Sequence, residues 1–345
     1  MNYSINFIKE SDVEEVQDFI DREWKKGHIL STSKDLFNWQ YSNKDGSYDF
    51  IITKQGNTIV GVLGFIQTAK YDKNLINNNV IWLALWKVSK QIKVTGIGLR
   101  MLSFLKSRVN HVAIAVNGIN TAHPPLYKSL GYISAKLNHY YVTNNDSNLK
   151  IVLSPKGYIH PKVNKVGENW ELVSKHNINN INIKLFSYKD SNNSIKKTPN
   201  YFLNRYLEHP FYKYQVYLIY GITPQEAALI ALRLDEVNGS NVLRIIDFLG
   251  NPEILTHAGK GLQKIMIENK VEYADFWSYG ISDEIMKKLG FKKVKEDESI
   301  IVPTYFEPFI KSNGSILFAF KDLTTSNNVP IIVKGDGDQD RPNQN

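Results

Sequence analysis

The chain contains no cysteine. That excludes a disulfide framework, a thiolate-ligated metal and a cysteine nucleophile. It also lacks an apolar run long enough to cross a bilayer, and its opening, Met1 to Asp12, holds no apolar signal-peptide core. Basic residues are in excess, giving a formal net charge of +8, yet they are scattered and form no stripe of the kind that marks a nucleic-acid-binding face. The excess suits small phosphorylated ligands at least as well as DNA or RNA. These absences predict a soluble, cytoplasmic protein with small-molecule substrates as partners, no nucleic acid and no membrane. The 345 residues suit two domains, and 42% hydrophobic residues can supply their cores.

Two familiar phosphate loops are missing. No G-x-x-x-x-G-K-[ST] occurs, and Met101 stands where a dinucleotide fingerprint needs its third glycine. What is there is Lys93-Val94-Thr95-Gly96-Ile97-Gly98. It lies between a predicted strand, Ile81 to Lys90, and a helix with the stripe Gly98, Met101, Leu102, Leu105 and Val109. A helix N-terminus behind glycines offers unpaired N–H groups and a positive dipole end to an anion.

Upstream, Tyr3 to Lys9 reads as a strand and Ser11 or Asp12 as the cap of a helix running to Trp24. Asp49 to Thr53 and Thr58 to Gln67 read as a hairpin. Downstream come a buried strand, His111 to Val116, a short helix ending at Leu130-Gly131, and one strand from Ala135 to Thr143. Trp170 to Val173 and Ile181 to Phe186 are candidate strands of a polar connecting region.

The second half echoes the first. Gly96-x-Gly98 returns as Gly259-x-Gly261, Gly118-Ile119 as Gly280-Ile281, and Leu130-Gly131-Tyr132 as Leu289-Gly290-Phe291, at offsets of 163, 162 and 159 residues. Val60 to Phe65 has a counterpart in Ala227 to Leu234. The expected division is a first domain over 1–145, a connecting region over 146–200, a degenerate second copy over 201–333 and a tail over 334–345.

The loop Lys93-x-x-Gly96-x-Gly98 resembles the Q/R-x-x-G-x-G/A pyrophosphate loop of the GNAT acyltransferase superfamily, with Lys93 in place of the usual Gln or Arg. Asn120 followed by Tyr127-Lys128-Ser129-Leu130-Gly131-Tyr132 resembles its second signature. The resemblance covers about residues 3–143. His28-Ile29-Leu30-Ser31, Phe37 to Tyr41, Trp82 to Val88 and the ending Lys334 to Asn343 are further similar to tandem-GNAT proteins of bacterial O-antigen and capsule pathways. Those of the nearest kind move an acyl group such as 3-hydroxybutanoyl onto the amine of a dTDP-linked 3-amino-3,6-dideoxyhexose.

The resemblance implies an α/β (α+β) fold: two tandem GNAT-like domains, each a mixed, mostly antiparallel twisted sheet flanked by helices. It implies an acyl-CoA-dependent N-acyltransferase, with acyl-CoA as cosubstrate and no metal. Lys87, Val88, Lys93, Thr95, Gly96, Ile97, Gly98, Asn120 and Tyr127 are the implied CoA-binding residues. The Val88 backbone would meet the oxyanion and Tyr127 would protonate the leaving thiolate. Tyr127 could instead be a packed aromatic, and Asn120 a helix cap. In the second copy Thr256 replaces Lys93 and Met286 replaces Tyr127, so that copy is expected to be silent in the chemistry.

An amine acceptor is cationic at neutral pH and must lose a proton. Glu23, His28, His123 and His139 are the candidate bases. Trp39, Tyr41, His139, Tyr140, Arg205, His209 and Tyr212 could bind the acceptor through stacking and charge. Alternatively, these aromatics fill a core. The segment Asp336-Gly337-Asp338-Gln339-Asp340 resembles the start of a calcium loop but has Arg341 at the sixth position, where glycine is required. It is expected to be a docking tail or a solvated end. Three other functions share this pattern: a catalytically silent acyl-CoA-binding protein, an aminoacyl or peptide N-acyltransferase, and a protein-acetylating enzyme.

Overall fold

A computed structural model describes residues 3–144, 149–167, 170–181, 186, 193–222, 226–296, 299–324 and 329–343. The chain divides into two compact units. One comprises Met1–Ser134, Ala319–Thr325 and Gly337–Asn345, the other Ala135–Phe318 and Ser326–Asp336. The division departs from the expected segments at both ends. Residues 135–145 belong to the second unit, and Gly337–Asn345 returns to the first.

In the first unit, β1 (Tyr3–Phe7), β2 (Phe50–Gln55), β3 (Thr58–Gln67) and β4 (Val80–Val88) form an antiparallel meander. Next in the sheet come β5 (Ala113–Ile119), the strand Leu317–Asp322 and β6 (Ile133–Lys136). Helices α1 (Val13–Phe19), α2 (Ile29–Thr32), α3 (Lys34–Tyr41) and α4 (Thr68–Tyr71) precede β4. Helix α5 (Ile97–Arg108) carries the chain from β4 to β5, and α6 (Pro124–Ser129) follows β5.

Strand pleat assigns the two faces. Ile51, Leu63, Phe65, Ile81, Leu83, Ile114 and Val116 form one core with Ile97, Met101, Leu102 and Leu105 of α5 and with Tyr127. Each fully buried aliphatic side chain there contributes roughly 1.5–3 kcal/mol. On the other face Phe50 packs edge-on to Tyr41 of α3 and against Phe37, at centroid distances of 4.8 and 5.2 Å.

The second unit repeats this path. β8 (Trp170–Val173), β9 (Tyr214–Tyr220), β10 (Ala227–Val237) and β11 (Ser240–Leu249) form an antiparallel meander. Helix α7 (Pro199–Phe202) precedes β9, and α8 (Gly259–Glu268) leads to β12 (Val271–Tyr279), parallel to β11. Helix α9 (Asp283–Leu289) then mirrors α6. Thus β10 occupies the place of β3, as the sequence echo predicts.

The expected single strand from Ala135 to Thr143 is two strands in two sheets. It breaks at the buried Leu137, whose N–H donates to the Ile316 carbonyl at 2.9 Å. β6 joins the first sheet, while β7 (Asn138–Thr143) lies between β12 and β13 (Lys292–Lys293) in the second. Trp170 to Val173 is a strand as expected. Residues 182–185 of the expected strand Ile181 to Phe186 lie outside the described residues. Among the described residues no helix is long and apolar enough to cross a membrane.

Candidate functional site

β4 carries a bulge. Gly64 pairs with Leu85 and Phe65 with Leu83, leaving Ala84 as the extra residue. Across the bulge the alternation of faces resets, so Trp86 and Val88 pack on the α5 face together with Leu83. β4 and β5 pair in parallel at Val80↔Ala113, Ile81↔Ile114 and Trp82↔Ala115, and beyond that the two strands separate. The separation opens a cleft of about 760 Å³. Its walls are Leu83 to Val88 without the buried Leu85, and Val116 to Asn120.

On the α5 face the cleft meets Gly96, Gly98, Leu99, His123, Leu126 and Tyr127. Gly96 has φ of +84°, the left-handed conformation that starts α5, and a Cβ there would find nothing within 4 Å. The first N–H groups of α5 lack intrahelical partners by construction. A Cβ on Gly98 would come within 3.1 Å of the Trp86 indole nitrogen. A phosphate can therefore approach this turn closely, provided that Gly98 stays a glycine.

On the α1–α3 face lie Trp24 and three residues of the chain's end, Asp338, Gln339 and Arg341. Trp82 faces this side, opposite its neighbours Ile81 and Leu83, and Gly337 sits on its ring. Gly118 of β5, at φ +84°, leaves room for Gln339, whose side-chain amide would overlap any Cβ there. The expectation of a solvated end fails. Asp336, Asp338 and Asp340 are all buried, and Arg341 forms an ion pair with Asp338. The cleft thus runs through the sheet from one face to the other.

The predicted residues divide accordingly. Lys87, Val88, Gly96, Gly98, Asn120, His123 and Tyr127 line the cleft. Lys93 and Thr95 are exposed in the loop beyond its lining, and Ile97 is a core residue. Asn120 also accepts the Ala122 N–H at 3.0 Å, the turn that leads into α6. Tyr127 is buried edge-on to Tyr132, at 5.5 Å, and burial pushes its phenol well above the ordinary range. It is therefore protonated at neutral pH and suited to donate a hydrogen bond to a developing thiolate, more than to give up its proton outright.

Glu23 lies beside the cleft and accepts the Ser89 hydroxyl at 3.0 Å. His28 is buried; its Nδ1 accepts the Leu30 N–H at 3.2 Å, and its Nε2 lies 3.0 Å from an Arg341 guanidinium nitrogen. Burial, with Arg341 and Lys25, holds it down to about 3, so it is neutral. Neither residue lines the cleft. Trp39 packs near Tyr71, at 6.2 Å, and Tyr41 is a core ring.

His139, Tyr140, Arg205, His209 and Tyr212 belong to the second unit. His139 is buried, stacked on Trp277 at 4.0 Å and 3.2 Å from Asp275, which Arg244 grips with two hydrogen bonds. Tyr140 donates to Asp283. Arg205 donates to the Gly335 carbonyl at 3.3 Å. His209 stacks on Tyr212, which donates to Glu307 at 2.6 Å and lies 3.8 Å beneath the Arg233 guanidinium. These side chains find their partners within the second unit.

Sequence reasoning missed Trp24, Trp86, Asp338, Gln339 and Arg341. Two signals were available: a glycine in mid-strand at Gly118, which marks a close approach, and the dense Asp-Gly segment at the chain's end.

No family model matches the chain, and no curated protein matches it. Solved structures do. A GCN5-related N-acetyltransferase from Anabaena variabilis matches over 94% of this chain and 73% of its own, with a TM-score of 0.57 and 11% identity. Another from Kribbella flavida matches over 93% and 72%, with a TM-score of 0.59 and 10% identity. The fold is that of the GCN5-related N-acetyltransferases. At such identity the fold is what is shared.

Proposed function

We propose that the first unit moves an acyl group from acyl-CoA directly onto a primary amine. The observation that carries this reading is the cleft itself, with an open, glycine-led helix N-terminus on one face of the sheet and a separate polar entrance on the other. The donor's pyrophosphate would meet the N–H groups of α5 at Gly96 to Leu99, with Lys87 adding a cation along the strand. The thioester would lie between the separated strands. There the edge of β4 beyond Trp82 has no pairing with β5, so every second backbone N–H is available to a tetrahedral oxyanion. The amine attacks the carbonyl carbon, the C–S bond breaks, and Tyr127 hydrogen-bonds the leaving sulfur. Counted from the ammonium form, the nitrogen gives up two protons: one ends on the CoA sulfur, so that CoA leaves as the thiol, and one is released to solvent. No enzyme nucleophile is needed, in keeping with a chain that has no cysteine.

For the acceptor we propose the amine of a nucleotide-linked amino-deoxy sugar of the dTDP-3-amino-3,6-dideoxyhexose type, serving O-antigen or capsule synthesis. The resemblance of His28 to Ser31, Phe37 to Tyr41 and the chain's end supports it.

The test is thiol release from acetyl-CoA and 3-hydroxybutanoyl-CoA in the presence of a panel of dTDP- and UDP-linked amino sugars. Release that requires an amino sugar, with a product heavier by the acyl group, is expected. CoA binding with no release across the panel would favour a silent acyl-CoA-binding protein.

A further inference from the structure

Hydrogen-bonding groups drawn away from water are normally given a partner by the fold. Gln339 is half-buried on the wall of the cleft, and no described residue hydrogen-bonds its side-chain amide. We propose that Gln339 determines substrate specificity: its amide hydrogen-bonds a neutral hydroxyl of the bound substrates, close to the reacting carbon. The inference rests on the acyl-transfer reading above and deepens it.

The position of the amide is fixed from both sides. Gly118 lies on β5 beyond Ala115, the last residue that pairs with β4, so the amide stands where the two strands have parted. A Cβ on Gly118 would overlap the side-chain carbonyl of Gln339, so the amide reaches this wall because residue 118 is a glycine. On its own segment Gln339 is flanked by Asp338 and Asp340, both buried, and Arg341 pairs with Asp338. Gly337, just ahead of them, turns against the Trp82 ring at φ +67°. The amide is therefore presented to the cleft from an anchored backbone.

Other polar groups of the wall have different chemistry. Lys87 and Arg341 are cations, Arg341 engages Asp338, and Asn120 accepts the Ala122 N–H. A primary amide carries donors and an acceptor and no charge. It does not counter a phosphate, and it does not take the proton of an ammonium ion. What it recognises is a neutral group that both donates and accepts, and a hydroxyl does both. The phosphates would meet the glycine turn on the α5 face, whereas the segment of Gln339 lies on the α1–α3 face. The hydroxyl therefore belongs to what lies beyond the thioester sulfur, either the acyl group or the amine acceptor. A hydrocarbon at the same place would leave the amide desolvated and unpaired.

The test compares substrates with and without hydroxyls. The full chain and its Gln339→Met and Gln339→Ala variants would be assayed with 3-hydroxybutanoyl-CoA against butanoyl-CoA. They would also be assayed with the amino sugar that supports turnover against cyclohexylamine, a ring amine without hydroxyls. Methionine keeps the length of the side chain beside Gly118, and alanine empties that space. In at least one pair, both variants should lower the kcat/KM ratio of hydroxylated to unhydroxylated substrate by about tenfold, the scale of a hydrogen bond lost from a desolvated group. The pair that responds names the source of the hydroxyl. CoA affinity, measured by calorimetry, should stay within about twofold. Turnover that falls equally for hydroxylated and unhydroxylated substrates would mark a structural role and overturn the proposal, and so would ratios that do not move. A loss of CoA affinity would place the amide on the pantetheine arm and overturn it as well. A wild-type chain that binds no CoA defeats the acyl-transfer reading itself, whereas wild-type turnover with unmoved ratios in the variants defeats the assignment of Gln339 alone.

Discussion

The same device is built twice in this chain, and what surrounds it differs between the two copies. In each unit an antiparallel meander ends in a glycine-led helix that crosses to a parallel strand. At α5 the helix N-terminus is open: a Cβ on Gly96 would meet nothing within 4 Å. At α8 the chain itself occupies the corresponding space. A Cβ on Gly259 would overlap the Asn164 carbonyl, one on Gly261 would overlap the Trp170 indole, and the Lys260 N–H already donates to Val166 at 3.1 Å. Gly96 borders open space, whereas Gly259 and Gly261 make room for Asn164, Val166 and Trp170. The helices after the parallel strands show the same divergence. Tyr132 N–H closes on the Tyr127 carbonyl at 3.0 Å, and Phe291 N–H on Met286 at 2.9 Å, through Gly131 and Gly290 in left-handed turns. The turn is preserved while the phenol that faces the first cleft has become a wholly buried methionine.

The sharpest way to break the comparison is to substitute its glycines. Gly98→Trp should lower acyl-CoA affinity by about 100-fold or more by filling the turn where backbone meets phosphate, with a smaller loss of stability than Gly259→Ala, because its Cβ crowds only the Trp86 side chain at 3.1 Å. Gly259→Ala should do the reverse. Its Cβ forces backbone apart, so it should cost about 2–4 kcal/mol of stability, while the folded fraction binds acyl-CoA as before. Calorimetry and urea unfolding on the two variants separate these outcomes. Binding lost in Gly259→Ala at full stability would mean that α8 is the donor site.

Tyr127→Phe comes next. It keeps the ring against Tyr132 and removes the donor. The expected fall in kcat is roughly 10–100-fold, at the lower end of what positioned proton donors contribute, with acyl-CoA affinity unchanged. Met286→Leu at the matching place should leave kcat as it is. A Tyr127→Phe enzyme with normal kcat would reduce Tyr127 to the same packing role that Met286 has.

Why one half of this device was legible and the other was not follows from what the residues spell. Gly96-x-Gly98 after an apolar strand names a phosphate turn, and the order of strands follows from alternation and from the glycine echo. Nothing local distinguishes Gly259 from Gly96, because what differs is a segment nearly a hundred residues earlier in the chain that packs on α8. Only Thr256 and Met286 hint at it. The far wall of the cleft was hidden for the same reason. Asp338 and Arg341 are more than two hundred residues from Gly118, and a polar terminal segment reads as solvated until the space behind a mid-strand glycine is known. His28 and Tyr41 lie outside the cleft lining, and both are buried.

The buried histidines carry the comparison into pH. His28 is held down to about 3, chiefly by burial and then by Arg341. His139 is also held below its ordinary value by burial, but Asp275 opposes the shift. Each is neutral when folded, so an unfolded chain takes up a proton that the folded chain refuses once the pH falls below about 6.5. The stability is complete above that pH and is lost as the pH falls toward the folded value. For His28 the loss should run at about 1.4 kcal/mol per pH unit between pH 6 and pH 4. His28→Gln should flatten the slope of urea stability against pH by about that much, and His139→Gln by less. Equal flattening by both would show that Asp275 gives His139 no protection.

The smallest effect belongs to Gly96→Ala. Its cost is confined to the backbone, because a left-handed turn disfavours a Cβ by roughly 1 kcal/mol while no neighbour objects. Gly290→Ala carries the same backbone penalty at φ +96° and adds an overlap with the Lys162 carbonyl. If the first site is open and the second is filled by its own chain, Gly290→Ala must be the more damaging in urea unfolding by a clear margin, about 1 kcal/mol or more. Equal losses would mean that the turn beside Lys162 yields as readily as empty space.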